Sequence, residues 1–146
     1  IGPGSFFTSL MPPLLVRGVK EALASVRGPI ILIANLLTEG RGMFGFTAAD
    51  AAHWVSEALG RPVDVVIAND ARPSEDAVTR YAAEHKEPLP LGYLDQATEL
   101  VHGAFWCTEI ARHDRRRLAF AVWTVLSQRL LQERNVTASA SATLSS

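Results

Sequence analysis

Ile30-Ile31-Leu32-Ile33-Ala34 is the stretch on which the fold turns. It is a β-branched and aliphatic run with no alternation of polar and apolar positions. That pattern belongs to a strand buried on both faces, as in a parallel sheet. Residues 35–46 then form a loop with glycines at Gly40, Gly42 and Gly45. Thr47 opens a helix, with Asp50 three residues on in a capping-box arrangement. Ala48, Ala52, Val55 and Leu59 make its apolar stripe, and Gly60 ends it.

Farther downstream, residues 63–68 read as a second strand closing in Asn69-Asp70. Pro73-Ser74-Glu75-Asp76 begins a helix that runs to about His85, with acidic residues where the helix dipole favours them. Residues 88–91 fit a short edge strand, because two prolines cannot sit in a central one. Residues 100–106 are a further strand candidate. A last helix is expected from Asp114 to about Arg134. Its inward stripe contains Leu118, Ala121, Val122, Val125, Leu126 and Leu130, with Phe120 and Trp123 widening the apolar arc. The Ser/Ala/Thr-rich residues 137–146 read as disordered.

Upstream, Gly28-Pro29 stops a helix that can start at Pro12-Pro13 and run to about Val26. Leu15, Val19, Ala22, Leu23 and Val26 recur along it at helical spacing. Strands alternating with helices give a Rossmann-like α/β class, with a mainly parallel sheet between two helical layers. One α/β domain over residues 1–135 is expected, followed by a tail at 136–146. Ile1 leads directly into a Gly-Pro-Gly turn of the kind that hangs from a strand end. The domain is therefore expected to be a carboxy-terminal portion, with the rest of that strand outside this sequence.

The composition is that of an ordinary globular domain: 146 residues, 48% hydrophobic and 20% charged. A net charge of −1 gives no global reason to expect nucleic acid or an anionic membrane as partner. No apolar run approaches the ~18 residues of a membrane span, and no signal-peptide pattern is present. A lone cysteine, Cys107, excludes an internal disulfide and agrees with a reducing compartment, so a cytoplasmic location is expected.

Three segments could carry chemistry. Gly2-Pro3-Gly4-Ser5, leading into Thr8-Ser9, offers backbone amides and hydroxyls to an anion such as a diphosphate. The same residues also suit a plain tight turn. Asn35 and Thr38 leave the first strand at its carboxyl end, where open α/β sheets place their ligands, and Asn69-Asp70 holds the equivalent place after the second. Each could line a crevice or simply close a loop. Arg112 and His113, before Asp114 and a run of three arginines, fit either an anion contact or a solvated helix start. His53, His85 and His102 show no metal-ligand spacing, and Cys107 has no activating neighbour. Neither a metal site nor a catalytic nucleophile is expected from these side chains.

Taken together and in order, several segments resemble the YvcK/CofD-like family. Gly2-Pro3-Gly4-Ser5-Phe6-Phe7-Thr8-Ser9-Leu10-Met11-Pro12 is similar to that family's "GPGSLYTSILP", and Gly18-Val19-Lys20-Glu21-Ala22 continues the match. Asn35-Leu36-Leu37-Thr38-Glu39 resembles its Asn-x-Met-Thr-Gln segment, with Glu39 where Gln is usual. Arg41-Gly42-Met43-Phe44 departs from its common "PGETD". Gly45-Phe46-Thr47-Ala48-Ala49-Asp50, Asp64-Val65-Val66-Ile67-Ala68-Asn69 and Arg112-His113-Asp114 also have counterparts in it. The blocks cover residues 2 to about 119 and correspond to the family's carboxy-terminal half. Its glycine-rich first loop is not among them.

The resemblance implies one of two functions. The first is a cytosolic regulatory protein of the YvcK type that binds UDP-sugars and is linked to gluconeogenic growth and cell shape. The second is a CofD-like transferase that moves a phospholactyl group onto the deazaflavin Fo with magnesium. The Gly-Ser start favours the first. By resemblance, Gly2, Pro3, Gly4, Ser5, Thr8 and Ser9 would face the ligand diphosphate, and Asn35 and Thr38 would line the same crevice. A third alternative is a non-catalytic scaffold whose Phe120 and Trp123 arc forms a subunit contact, leaving homo-oligomers open.

Overall fold

The computed structural model describes residues 1–107 and 110–143, with the backbone alone for residue 41 and residues 133–143. Three short strands, β1 (Ile31–Ile33), β2 (Val65–Asn69) and β3 (Glu99–Gly103), form one sheet in the order β1-β2-β3. Both pairings are parallel, with Leu32 opposite Val66 and Val66 opposite Leu100. Ile1 lies along the other edge of β1: the Ile33 amide donates to the Ile1 carbonyl at 2.9 Å, and the Ile1 amino group donates to the Ile31 carbonyl at 2.7 Å. This is the ladder of a neighbouring parallel strand, so the opening turn does hang from a strand position.

Helices separate the strands, as parallel pairing requires. Met11–Leu14 (α1) follows a π-helical turn at Phe6–Leu10, and Val19–Ala24 (α2) precedes β1. The single helix expected from Pro12 to Val26 is thus two pieces. Gly18 interrupts it with φ 87°, a left-handed conformation that ends helical hydrogen bonding and that glycine adopts without steric cost. Ala48–Leu59 (α3) joins β1 to β2, and Glu75–Ala82 (α4) stands between β2 and β3. Beyond β3, α5 runs from Arg115 to Thr143.

The core follows from the sequence pattern. Leu32, Val66 and Ala68 meet Ala48, Ala51, Ala52, Val55 and Leu59 of α3, with Phe6, Met11 and Leu14 from the opening segment. Val65, Val66 and Ile67 are all buried, so β2 is covered on both faces, as its unbroken apolar run required. A smaller cluster gathers Leu36, Ala77 and Trp106. The architecture is Rossmann-like α/β.

Two expected elements come out differently. Residues 88–91 are not an edge strand; they contribute one isolated antiparallel bridge, Leu37 with Pro88. The Pro90 and Leu91 carbonyls instead accept from the Ala48 and Ala49 amides at 2.8 and 3.0 Å, covering the start of α3. The last helix continues past Arg134 into the segment expected to be without structure. No Gly or Pro stops it there, and Ala138, Ala140 and Ala142 favour helix. The chain divides into two compact units, Ile1–Asp114 and the segment from Arg115 onward. Residues 144–146 lie outside the described ones.

Candidate functional site

The carboxyl end of β1 lies next to the opening loop, and residues from both come together there. The Gly2–Pro3 bond is cis and Gly2 has φ 78°. A Cβ on Gly2 would sit 2.7 Å from the Ile33 carbonyl oxygen, so only glycine lets the loop lie this close to β1. Gly4 is less constrained, since a Cβ there would make ordinary contacts with Leu10 and Ser9 at 3.5 and 3.6 Å.

Across this junction the Gly4 amide donates to Asn35 Oδ1 at 3.2 Å. Asn35 Nδ2 donates to Glu39 Oε1 at 2.9 Å, and the Phe6 amide donates to the same oxygen at 2.8 Å. Ser5 Oγ donates to Glu39 Oε2 at 2.7 Å, and Thr8 Oγ1 donates to Ser5 Oγ at 2.5 Å. Donors from the opening loop therefore do converge on negatively charged oxygen, but that oxygen belongs to Glu39. The Gly4 and Phe6 amides are taken up within the chain. Glu39 had stood out in the sequence only as a departure from a family's usual Gln. Asn35 is four residues away, but its partners in the opening loop, Ser5 and Phe6, lie more than thirty residues away, beyond the reach of any spacing rule.

The remaining expected residues divide. Ser9 is exposed beside this cluster. Thr38 turns inward: it is 2% exposed, its amide donates to the Glu87 carbonyl at 2.8 Å, and its Oγ1 accepts from the Glu87 amide at 3.0 Å. It fastens the loop rather than lining a crevice. Asn69 is likewise spent on backbone, with Oδ1 accepting from the Phe105 and Trp106 amides at 2.9 and 3.1 Å and Nδ2 donating to the Ala71 carbonyl at 2.8 Å.

His113 reaches the carboxyl end of β1, where Nε2 lies 3.2 Å from the Ala34 carbonyl, an arrangement that assigns the proton to Nε2. Burial pushes its imidazole below the ordinary histidine range, partly offset by that hydrogen bond, so it stands near the loops as a neutral donor. Arg112 is exposed.

Sequence reasoning passed over His102 because it lacked metal-ligand spacing. In the fold His102 Nδ1 meets Asp70 Oδ2 at 2.5 Å, across the carboxyl ends of β3 and β2. The available signal was that each residue sits at or next to the end of an expected strand. Among the described residues no group of three or more His, Cys, Asp or Glu could hold a metal ion. A cavity of about 630 Å³ lies elsewhere, along α3 toward the amino ends of β2 and β3, lined by Lys20, His53, Glu57, Arg61, Tyr93 and Asp95. It shares no residue with the opening loop. Among the described residues no helix is long and apolar enough to cross a membrane.

Comparison with known proteins agrees with this architecture. The family model described as "2-phospho-L-lactate transferase CofD" matches residues 1–103. A "Putative gluconeogenesis factor" from Aquifex aeolicus is 29% identical over 139 residues, which cover 91% of this chain and 42% of that protein. A relative of the same description from Nostoc sp. is 35% identical over 91 residues, 61% of this chain and 20% of its own length. The crystal structure of a UPF0052 family member from Bacillus halodurans superposes with a TM-score of 0.75 at 27% identity, covering 84% of this chain and 41% of that one. The chain thus spans less than half the length of each of these three proteins.

Proposed function

This chain belongs to the family of 2-phospho-L-lactate transferase CofD, and from that membership we propose that it forms one wall of a nucleotide-sugar site in a cytoplasmic regulatory protein of the gluconeogenesis-factor kind. The observation that carries this reading is the convergence of Gly4, Ser5, Phe6, Asn35 and Glu39 at the carboxyl end of β1. Open α/β sheets bind their ligands beyond the carboxyl ends of the strands. Hydroxyls and amides gathered beside a glycine turn suit the oxygens of a diphosphate. The relatives' description as gluconeogenesis factors supports the link to gluconeogenic growth; the regulatory role and the link to cell shape are part of the same proposal. Calorimetric titration of the full chain with UDP-N-acetylglucosamine tests it. Heat release with a raised melting temperature is expected; the absence of both would overturn the reading.

A second reading is a CofD-like transfer of a phospholactyl group to the deazaflavin Fo. It is favoured by the family's description and by the His102–Asp70 pair, whose geometry leaves His102 Nε2 for proton transfer. The magnesium it calls for binds through one or two carboxylates together with substrate phosphates; Glu39 would have to release its three donors to serve as one of them. Incubation with Fo, a guanosine-diphosphate-linked donor and magnesium would then yield product; no product removes this reading.

A further inference from the structure

We propose that the Glu39 carboxylate is the resident occupant of the anion seat at the opening loop, and that a phosphate-bearing ligand binds there by displacing it. The inference rests on the reading of residues 2–9 as a phosphate loop and names what regulates that site.

Three donors, two from adjacent residues of the opening loop and one from the end of β1, point at the two oxygens of this one side chain. They are the Phe6 amide, the Asn35 amide group and the Ser5 hydroxyl. The supporting contacts aim them further. The Gly4 amide holds Asn35 Oδ1, which turns Asn35 Nδ2 toward Glu39, and Thr8 Oγ1 donates to Ser5 Oγ, which leaves the Ser5 proton for Glu39. An ionised carboxylate only accepts hydrogen bonds, with two oxygens, and so presents the same pattern as two phosphate oxygens. Charge-assisted bonds of this kind are the stronger ones, so the seat is well satisfied without a ligand.

Phosphate oxygens cannot share these donors with Glu39, because two like charges at this separation repel strongly when partly shielded from water. Binding therefore requires the carboxylate to leave. Glu39 is only partly buried and precedes Gly40, which has φ 83° and open space where a Cβ would be, so its loop meets no packed obstacle at that point. The expected consequence is a site whose affinity for phosphate is set low by its own side chain. Neutralising that side chain should tighten binding.

The test compares the full chain with Glu39→Gln and Glu39→Ala, using inorganic pyrophosphate and UDP as probes in calorimetry. Both variants are expected to bind on the order of tenfold more tightly than the unsubstituted chain. Thermal melting confirms that each is folded, and if one is not, the other carries the comparison. Hydrogen exchange at the Phe6 amide of the unsubstituted chain gives an independent reading and is expected to change when pyrophosphate replaces the carboxylate. Equal or weaker binding by the variants, or binding heat with an unresponsive Phe6 amide, overturns the displacement while leaving phosphate binding in place. No binding by any of the three proteins overturns the phosphate loop itself, and the inference with it.

Discussion

Among the places in this chain where a carboxylate satisfies a backbone amide, the start of α3 and the opening loop differ in how far that carboxylate has to reach. At the start of α3, Asp50 Oδ2 accepts from the Thr47 amide at 2.9 Å, and Thr47 Oγ1 accepts from the Asp50 amide at 3.1 Å. At the opening loop, Glu39 accepts from the Phe6 amide, 33 residues away in sequence. The first is a closed local motif that the helix needs for its unpaired amides. The second forms only when the sheet brings the end of β1 beside the loop, at the end of the sheet where α/β proteins meet their ligands. A reciprocal cap with both partners three residues apart reads as structural. A distant carboxylate holding three converging donors reads as a site with an internal occupant.

The comparison can be broken most severely at Gly2. Gly2→Val places a side chain 2.7 Å from the Ile33 carbonyl at a left-handed φ. Left-handed strain of about 1–2 kcal/mol adds to an overpacking cost of about 1–3 kcal/mol. Chemical denaturation is expected to show the loss, and an unchanged midpoint would mean the loop is not anchored on β1. Loss of the cap is milder. Thr47→Ala should destabilise by about 0.5–2 kcal/mol without altering pyrophosphate binding, and an effect on binding would erase the distinction between the two carboxylates.

Ser5→Ala combined with Gly4→Val should abolish ligand binding while the chain stays folded with a modest fall in melting temperature, since the space at Gly4 accepts a Cβ and the Ser5–Glu39 hydrogen bond is lost. Retained affinity would make the turn merely structural. The smallest effect belongs to His113. Its pKa is lowered in the fold, so below about pH 6.5 the unfolded chain takes up the proton first. Stability is then lost as pH falls from there through the folded value. His113→Gln should flatten melting temperature against pH in that window; an unaltered slope would place the titration elsewhere.

Much of the fold was legible because its signals are local. The unbroken apolar runs of β1 and β2, the Thr47–Asp50 cap and the Gly60 stop each lie within a few residues. Other features were not legible for the same reason. Residues 88–91 resemble an edge strand by their prolines, yet their carbonyls cover the start of α3, a contact more than forty residues distant. Thr38 and Asn69 carry side chains suited to a ligand, but in the fold both are bonded to backbone that no local pattern connects with them.

Sequence alone determined that apolar strands alternate with helices, because hydrophobic period and capping are properties of neighbouring residues. Of the strands, β2 is the one buried on both faces, while β1 is only half-buried at Ile31 and Ile33. Sequence also marked the glycine-rich start, since a left-handed turn needs glycine wherever the chain later goes. Only the tertiary structure decided which groups meet at the carboxyl ends of the strands. There Asn35 and Glu39 turn toward the loop while Thr38, next to Glu39, turns inward. Hydrogen bonding depends on distance in space, and that is fixed only once the parallel sheet has brought remote segments side by side.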